Sequence, residues 1–519
     1  MSGEENENLL PVEEKKNNSN KLSSLTVFNT AFNVLLGAGP ILVPPVFQEP
    51  GIALAFIFII LITFISFICS EFVIETMSLL TAIRAKERQE QELQSKLIFP
   101  QDSGVKSLSE QTISQDQNNY EITEESFLLK EPIEYSQMGL EIYGKLGQGI
   151  TATGLVVYLI GVLSSKTIMI GNILSKTFKD VSFLNSTYPW MISFLACSII
   201  FSFSNVQKTK TLQNVIVVVR FLTIAALLIG SFQIAGKTSF HNLNENHTYF
   251  DFDNFSSFFG DLQFALLMHH AIPSMFYSIE NQKNIKKVSF AAFGIGSLSI
   301  VLLSIFGVMA FGKCLDAEKG HNNSECVGLG YATGSSYFNS YFQGIGDADW
   351  AFYISSFYIF LNVAAFPVLI ITCRNNLMKF LAKDKIPAIS YKITKWTIFF
   401  TLLIAGPIFA ISLTVKNIQI VLDWVSGIFG SMLINLFPSS FVIYARIKAE
   451  RLGISQDKNI HKSIIKNKYL PYGTFAFGCV LLVYTVYNNF KNSLLYQIQK
   501  PIASDQSKMG GDFYIHNSL

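Results

Sequence analysis

Long apolar runs separated by shorter polar connectors dominate this chain. Eleven runs read as membrane-crossing helices, at about 25–47, 51–80, 150–173, 188–204, 212–236, 256–280, 288–312, 350–373, 395–413, 418–445 and 469–490. The pattern predicts an all-α polytopic membrane protein. Spans 2 and 10 are longer than the bilayer needs, so they tilt or run past it.

The polar stretches set the remaining organisation. Residues 1–24 are polar and predict a disordered cytosolic tail; they hold no apolar core for a cleaved signal peptide, so span 1 is expected to direct insertion. Residues 25–490 form the membrane domain, and 491–519 a C-terminal tail. Between spans 2 and 3 lies a long polar loop, Arg84 to Gly149. Its Gln/Glu/Ser-rich part, Lys86 to Glu125, reads as disordered. Its end, Tyr135 to Gly147, is richer in apolar residues and predicts a short surface helix folding back before span 3.

Charge position gives an orientation. Lys208 and Lys210, Lys283 with Lys286 and Lys287, Arg374 to Lys385, and Arg446 to Lys468 fall in one alternate set of loops. That set is expected to be cytosolic, with the N-terminus; the C-terminal tail is then extracytosolic. Four glycosylation triplets, at Asn185, Asn246, Asn254 and Asn322, fall on the expected outer side. Cys314 and Cys326 share an outer loop, where a disulfide is chemically permitted. Cys69, Cys197, Cys373 and Cys479 sit in apolar runs and read as core residues.

Composition narrows the function. Charged residues are 15% of the chain, well under the roughly 25% of soluble domains. No Gly-Lys-Ser/Thr nucleotide loop is present, which removes support for ATP-driven pumping. No metal-ligand spacing appears, and no cofactor or nucleic-acid partner is expected; the partners are the lipid bilayer and a small solute. Intramembrane enzymology is disfavoured, because His269 and His270 have no Ser, Cys or acidic pair beside them in span 6.

Two spans are interrupted. Span 1 contains Asn33-Val34-Leu35-Leu36-Gly37-Ala38-Gly39-Pro40, and span 6 contains His269-His270-Ala271-Ile272-Pro273. Glycine and proline weaken helix interiors, and a freed backbone group in hydrocarbon costs several kcal/mol unless protein or a cavity satisfies it. One reading is a binding site built on bare helix ends. The other is a kink that lets helices pack closely. The two interruptions lie five spans apart and start from opposite sides, as expected if spans 1–5 and 6–10 are inverted repeats with span 11 appended.

These features resemble the amino acid/auxin permeases, the amino acid transporter transmembrane family, which includes sodium-coupled neutral and vacuolar or lysosomal amino acid transporters. The matching residues are Asn33-x3-Gly37-x-Gly39-x2-Leu42, Tyr135 to Gly147, Phe264-x4-His269-x3-Pro273 with Tyr277, and Pro367-x6-Arg374. The resemblance covers about Leu25 to Phe490. It implies a LeuT-like 5+5 inverted repeat with broken helices 1 and 6, and secondary transport of amino acids. The membrane would be the plasma membrane or a vacuolar or lysosomal one.

Candidate residues follow from both lines. Gly37, Ala38 and Gly39 would offer amides to a substrate carboxylate. Asn33 matches a sodium-holding asparagine of sodium-coupled relatives; an interhelical hydrogen bond is the other reading. His269 matches the family histidine and would contact substrate or sense protons, or else sit neutral against a neighbouring helix. His270 points about 100° away from it, so one of the two is expected to face a cavity. In sodium-coupled relatives span 8 supplies a hydroxyl where this chain has Ala365. Arg220 in span 5 is a candidate to occupy or border the cation site and make sodium unnecessary. Lys166 is expected to snorkel to the outer surface, and Asp423 to line an outer vestibule. Ser355, Ser356 and Asn362 give span 8 a polar stripe that serves either ion binding or helix packing. The function expected is alternating-access amino acid transport coupled to protons or sodium; the alternative is a non-transporting amino acid sensor of the same fold.

Overall fold

Backbone groups in hydrocarbon must find partners within their own segment, and this chain meets that demand with helices. The computed structural model describes residues 21–37, 39–98, 122–178, 181–203, 206–237, 249–251, 255–311, 362–382, 394–415, 421–422, 424–465 and 467–509. Ala38, Ser355, Ser356, Asp423, Cys314, Cys326, Asn246, Asn254 and Asn322 lie outside the described residues.

The first apolar segment carries two helices, α1 (Ser24–Leu35) and α2 (Gly39–Val46). Ser23 starts α1 by accepting from the Thr26 amide at 3.2 Å. α3 (Ile52–Ile98) is 47 residues, about 70 Å at 1.5 Å per residue, more than twice the thickness of the hydrocarbon. Residues 86–98, expected to be disordered, instead continue this helix. The run Lys86-Glu87-Arg88-Gln89-Glu90-Gln91-Glu92 consists of good helix formers with opposite charges four apart, and it extends a helix already nucleated.

α4 (Tyr135–Thr177) bends at Gly144, whose φ of 66° is open to glycine at little cost. Its first part is the short helix expected before span 3, but its placement differs from a surface helix: Tyr135, Ser136 and Met138 are fully buried. α5 (Thr187–Ser202), α6 (Lys210–Lys237), α7 (Phe255–Leu266), α8 (Ile272–Phe276) and α9 (Ile285–Phe311) follow, with a 3₁₀ turn His269–Ala271 between α7 and α8. α10 (Asn362–Ala382) and α11 (Lys395–Thr414) precede two π-helical stretches, Val425–Gly430 and Met432–Leu436. α12 (Phe437–Arg451) and α13 (Leu470–Met509) complete the described chain.

Among the described residues seven helices are long and apolar enough to cross a membrane. α5 is shorter, the first and sixth apolar segments each carry more than one helix, and the eighth is described only from Asn362. α9 packs on α1, α2, α3 and α6, whereas α4 packs on α5, α10 and α11. At one end, Leu22 pairs with the chain after α8: its amide donates to Ser278 O at 2.7 Å, and its carbonyl accepts from Glu280 at 2.9 Å. At the other, the Asp251 amide donates to Pro50 O at 2.7 Å and the Leu54 amide to Tyr249 O at 3.2 Å. The first and sixth segments are thereby tied together at both ends.

Candidate functional site

The last carbonyls of a helix have no intrahelical partner and carry partial negative charge. At the end of α1 those of Leu36 and Gly37 are taken by a buried arginine. Arg220, on α6, donates from Nη1 to Leu36 O at 2.7 Å and Gly37 O at 3.2 Å, and from Nε to Asn33 Oδ1 at 3.1 Å. A guanidinium suits this task because its donors form a rigid fork. The Asn33 amide donates to the Gln213 carbonyl at 3.0 Å and to Gln213 Oε1 at 2.9 Å, while Gln213 Nε2 donates to Ala364 O at 2.8 Å. One network thus joins α1, α6 and α10. Gln213 escaped the sequence reading, although it lies two turns before Arg220 and so on the same helix face. Ala365 is buried beside this network and brings no side-chain oxygen.

A second cation approaches the same place from α4. Lys166 was expected to snorkel, but it is 3% exposed. Its ammonium donates to Asn362 Oδ1 at 3.4 Å and lies 5.9 Å from the Phe264 ring centre. The Gly37 backbone comes so close that a Cβ there would fall 2.3 Å from Lys166 Nζ. The outward expectation failed because the side chain turns inward, to Gly37 of α1's end, Phe264 of α7 and Asn362 of α10. At Gly39 a Cβ would lie 2.5 Å from Ala265 Cβ and 3.1 Å from Ala265 Cα, so α2 and α7 meet through their smallest residues.

Lys166, Gly37, Tyr158, Phe264, His270 and Leu369 are among the residues lining a small cavity between α1, α4, α7 and α10. About 10 Å³ of it can be occupied by the centre of a water molecule, room for roughly one water. Of the two histidines it is His270 that lines the cavity. His269 turns away, with Nε2 2.8 Å from the Ser66 carbonyl on α3. Both ring nitrogens of His270 are buried without a hydrogen-bond partner among the described residues. A wider open groove of about 590 Å³, lined by Thr26, Lys210, Asn214 and Val218, lies on the outer surface of α6 away from these residues. Asn185 is exposed in the turn before α5.

A third junction lies at the N-terminus of α4. Glu134 is fully buried. It accepts from Ser274 Oγ on α8 at 2.6 Å and from Asn376 Nδ2 on α10 at 3.1 Å. Burial raises its carboxyl to about 7, against the opposing effect of these donors and of Lys379. Between about pH 4.5 and 7 the native state therefore binds more protons at Glu134 than the unfolded chain does, and its contribution to stability falls as pH rises. His461 acts in the opposite sense. Burial and Lys286 lower it to about 4, so stability is lost as pH falls from 6.5 toward 4. We expect Glu134→Gln, permanently neutral, to gain in melting temperature over the wild type as pH rises from 5 to 8. A difference constant across that range would refute the assignment.

Comparison with known proteins adds a family. Residues 121–317 match the model described as "Transmembrane amino acid transporter protein". Relatives that match about two thirds of the chain or more carry a different name. A transmembrane protein 104 homolog of Dictyostelium discoideum is 24% identical over 485 residues, 86% of this chain and 93% of that protein. The Drosophila melanogaster homolog is 23% identical over 508 residues, 89% and 96% of the two chains. Transmembrane protein 104 of Homo sapiens is 21% identical over 383 residues, 66% and 72%. Through residues 121–317, which hold Lys166, Arg220 and both span 6 histidines, the chain matches the amino acid transporter transmembrane family that its motifs resemble.

Proposed function

We propose that this protein is a secondary active transporter that moves amino acids by alternating access. The observation that carries the reading is the meeting of helix ends: α1 stops against α2, and α7 against the turn before α8, around one buried cavity. Helix ends buried together are costly unless something is bound there or the ends are capped. On this reading the helix pairs are halves of two membrane spans, and the ten-span core is an inverted repeat. The cavity is too small for an amino acid in this conformation, so the structure corresponds to a closed state, and loading requires α4 to part from the end of α1.

The same geometry supports transport without sodium. The oxygens of Asn33, Leu36 and Gly37, which would suit a small cation, already accept from Arg220. Protons are then the coupling ion of choice. The basic loop end faces the cytosol on this reading, with the N-terminus.

The test is flux. Purified protein in proteoliposomes is expected to exchange labelled amino acids equally well in sodium and choline media at constant pH, and to respond to a pH gradient. Collapse in choline would overturn the coupling assignment. Amino acid binding with no flux would make the protein a sensor of the same fold instead.

A further inference from the structure

We infer that the cavity is a carboxylate site and that the preferred substrates are amino acids carrying a second carboxylate. The inference rests on the transport reading for its substrate family, but its physical basis is separate.

Lys166 is the starting point. Among the described residues it makes no ion pair; its contacts are one long hydrogen bond to Asn362 and the Phe264 ring. A buried amine without a counter-ion is costly to charge, and an arriving anion restores its ammonium form. Beside it, in the same cavity wall, His270 has both ring nitrogens without a hydrogen-bond partner among the described residues, and nearly no exposure. Two buried polar groups on different helices, α4 and the turn before α8, thus point their unused capacity at one space. Lys166 can only donate, and the imidazole can donate from one nitrogen. The ligand group that completes both is an acceptor with negative charge, and a carboxylate has the size and the two oxygens to do it.

The charge balance then selects among amino acids. Among the described residues lining the cavity none is acidic. The α1 carbonyls, to which a substrate ammonium would turn, already accept from Arg220. The other helix end at this depth is the carbonyl end of α7, which is where the ammonium is left to go. The α-carboxylate has the amides of Gly39 and Ile41 at the start of α2, where Pro40 brings none. A second carboxylate on the side chain meets Lys166 and His270. A neutral amino acid leaves the lysine unpaired, and a basic one sets two cations against each other. Both are disfavoured relative to an acidic one.

The experiment measures binding and flux separately. Purified full-length protein is melted in the presence of L-glutamate, L-aspartate, L-leucine or L-arginine, and the same four are offered to proteoliposomes. Glutamate or aspartate is expected to raise the melting temperature, with leucine and arginine at least tenfold weaker. Lys166→Met is expected to be at least as stable as the wild type when empty, because it removes an unpaired buried charge, yet to lose acidic binding by tenfold or more. Lys166→Arg should keep part of it. Stabilisation by leucine or arginine equal to glutamate, no response to either acidic amino acid, or undiminished glutamate binding by Lys166→Met would each overturn the inference. Glutamate binding without flux would leave this site standing and remove the transport reading. Flux of leucine without glutamate would do the reverse.

Discussion

Replacing Arg220 with alanine is expected to abolish transport and to make the protein sensitive to sodium. The substitution takes the Arg220 donors away from Asn33 Oδ1 and from the carbonyls of Leu36 and Gly37. Each buried acceptor left unsatisfied costs about 1–3 kcal/mol, so the loss is on the order of 2–6 kcal/mol even if one acceptor finds water. The vacated space would present three oxygens at a helix C-terminus, an arrangement that favours a hard cation. Sodium chloride should therefore raise the melting temperature of Arg220→Ala above its value in choline chloride, whereas the wild type should show no difference. Lysine at this position supplies the charge without the fork, and its stability should fall between the two. An alanine variant that melts and transports like the wild type would remove Arg220 from the site altogether.

Much of this arrangement is legible in the sequence, for identifiable reasons. Asn33, Gly37 and Gly39 stand out because glycine and an amide are conspicuous in an apolar run. Arg220 stands out because a guanidinium deep in hydrocarbon needs a partner. Partners themselves are not legible. Nothing local shows that Gln213, rather than an ion, would hold the Asn33 amide, since 180 residues separate the two. The two histidines illustrate the same limit. Adjacent positions on a helix diverge by about 100°, so one of them had to turn away, but which one depends on the 3₁₀ turn at His269–Ala271. Lys166 was misjudged because depth along one helix says nothing about what covers it. Charged residues within span 2, Glu71 and Glu75, passed unremarked inside a strongly apolar run. Their roles depend on helices far away in the chain.

Glu75 supplies the second large effect. Its side chain has no exposure, and Arg446 on α12 grips it with two parallel bonds, Nε to Oε1 at 2.7 Å and Nη2 to Oε2 at 2.8 Å. The Ser463 amide adds a third donor at 2.8 Å. This pair therefore joins α3, α12 and the segment after α12. Removing one partner of a buried pair leaves an uncompensated charge and typically costs 3–5 kcal/mol, whereas replacing both with apolar residues of similar size is often neutral. Arg446→Met is accordingly expected to depress the melting temperature strongly, and Glu75→Met/Arg446→Met together to recover most of the loss. Added salt should not mimic either variant, because screening acts on exposed charges and this carboxylate is fully enclosed. If the single variant melts like the wild type, or the double variant loses as much as the sum of the singles, the pair is not coupled and the joint between α3 and α12 rests on apolar packing alone. Because Glu75 lies about two and a half turns along α3 from Ser66, whose carbonyl meets His269 beside the cavity-lining His270, a loosened joint should also reach the cavity and weaken substrate binding in Arg446→Met.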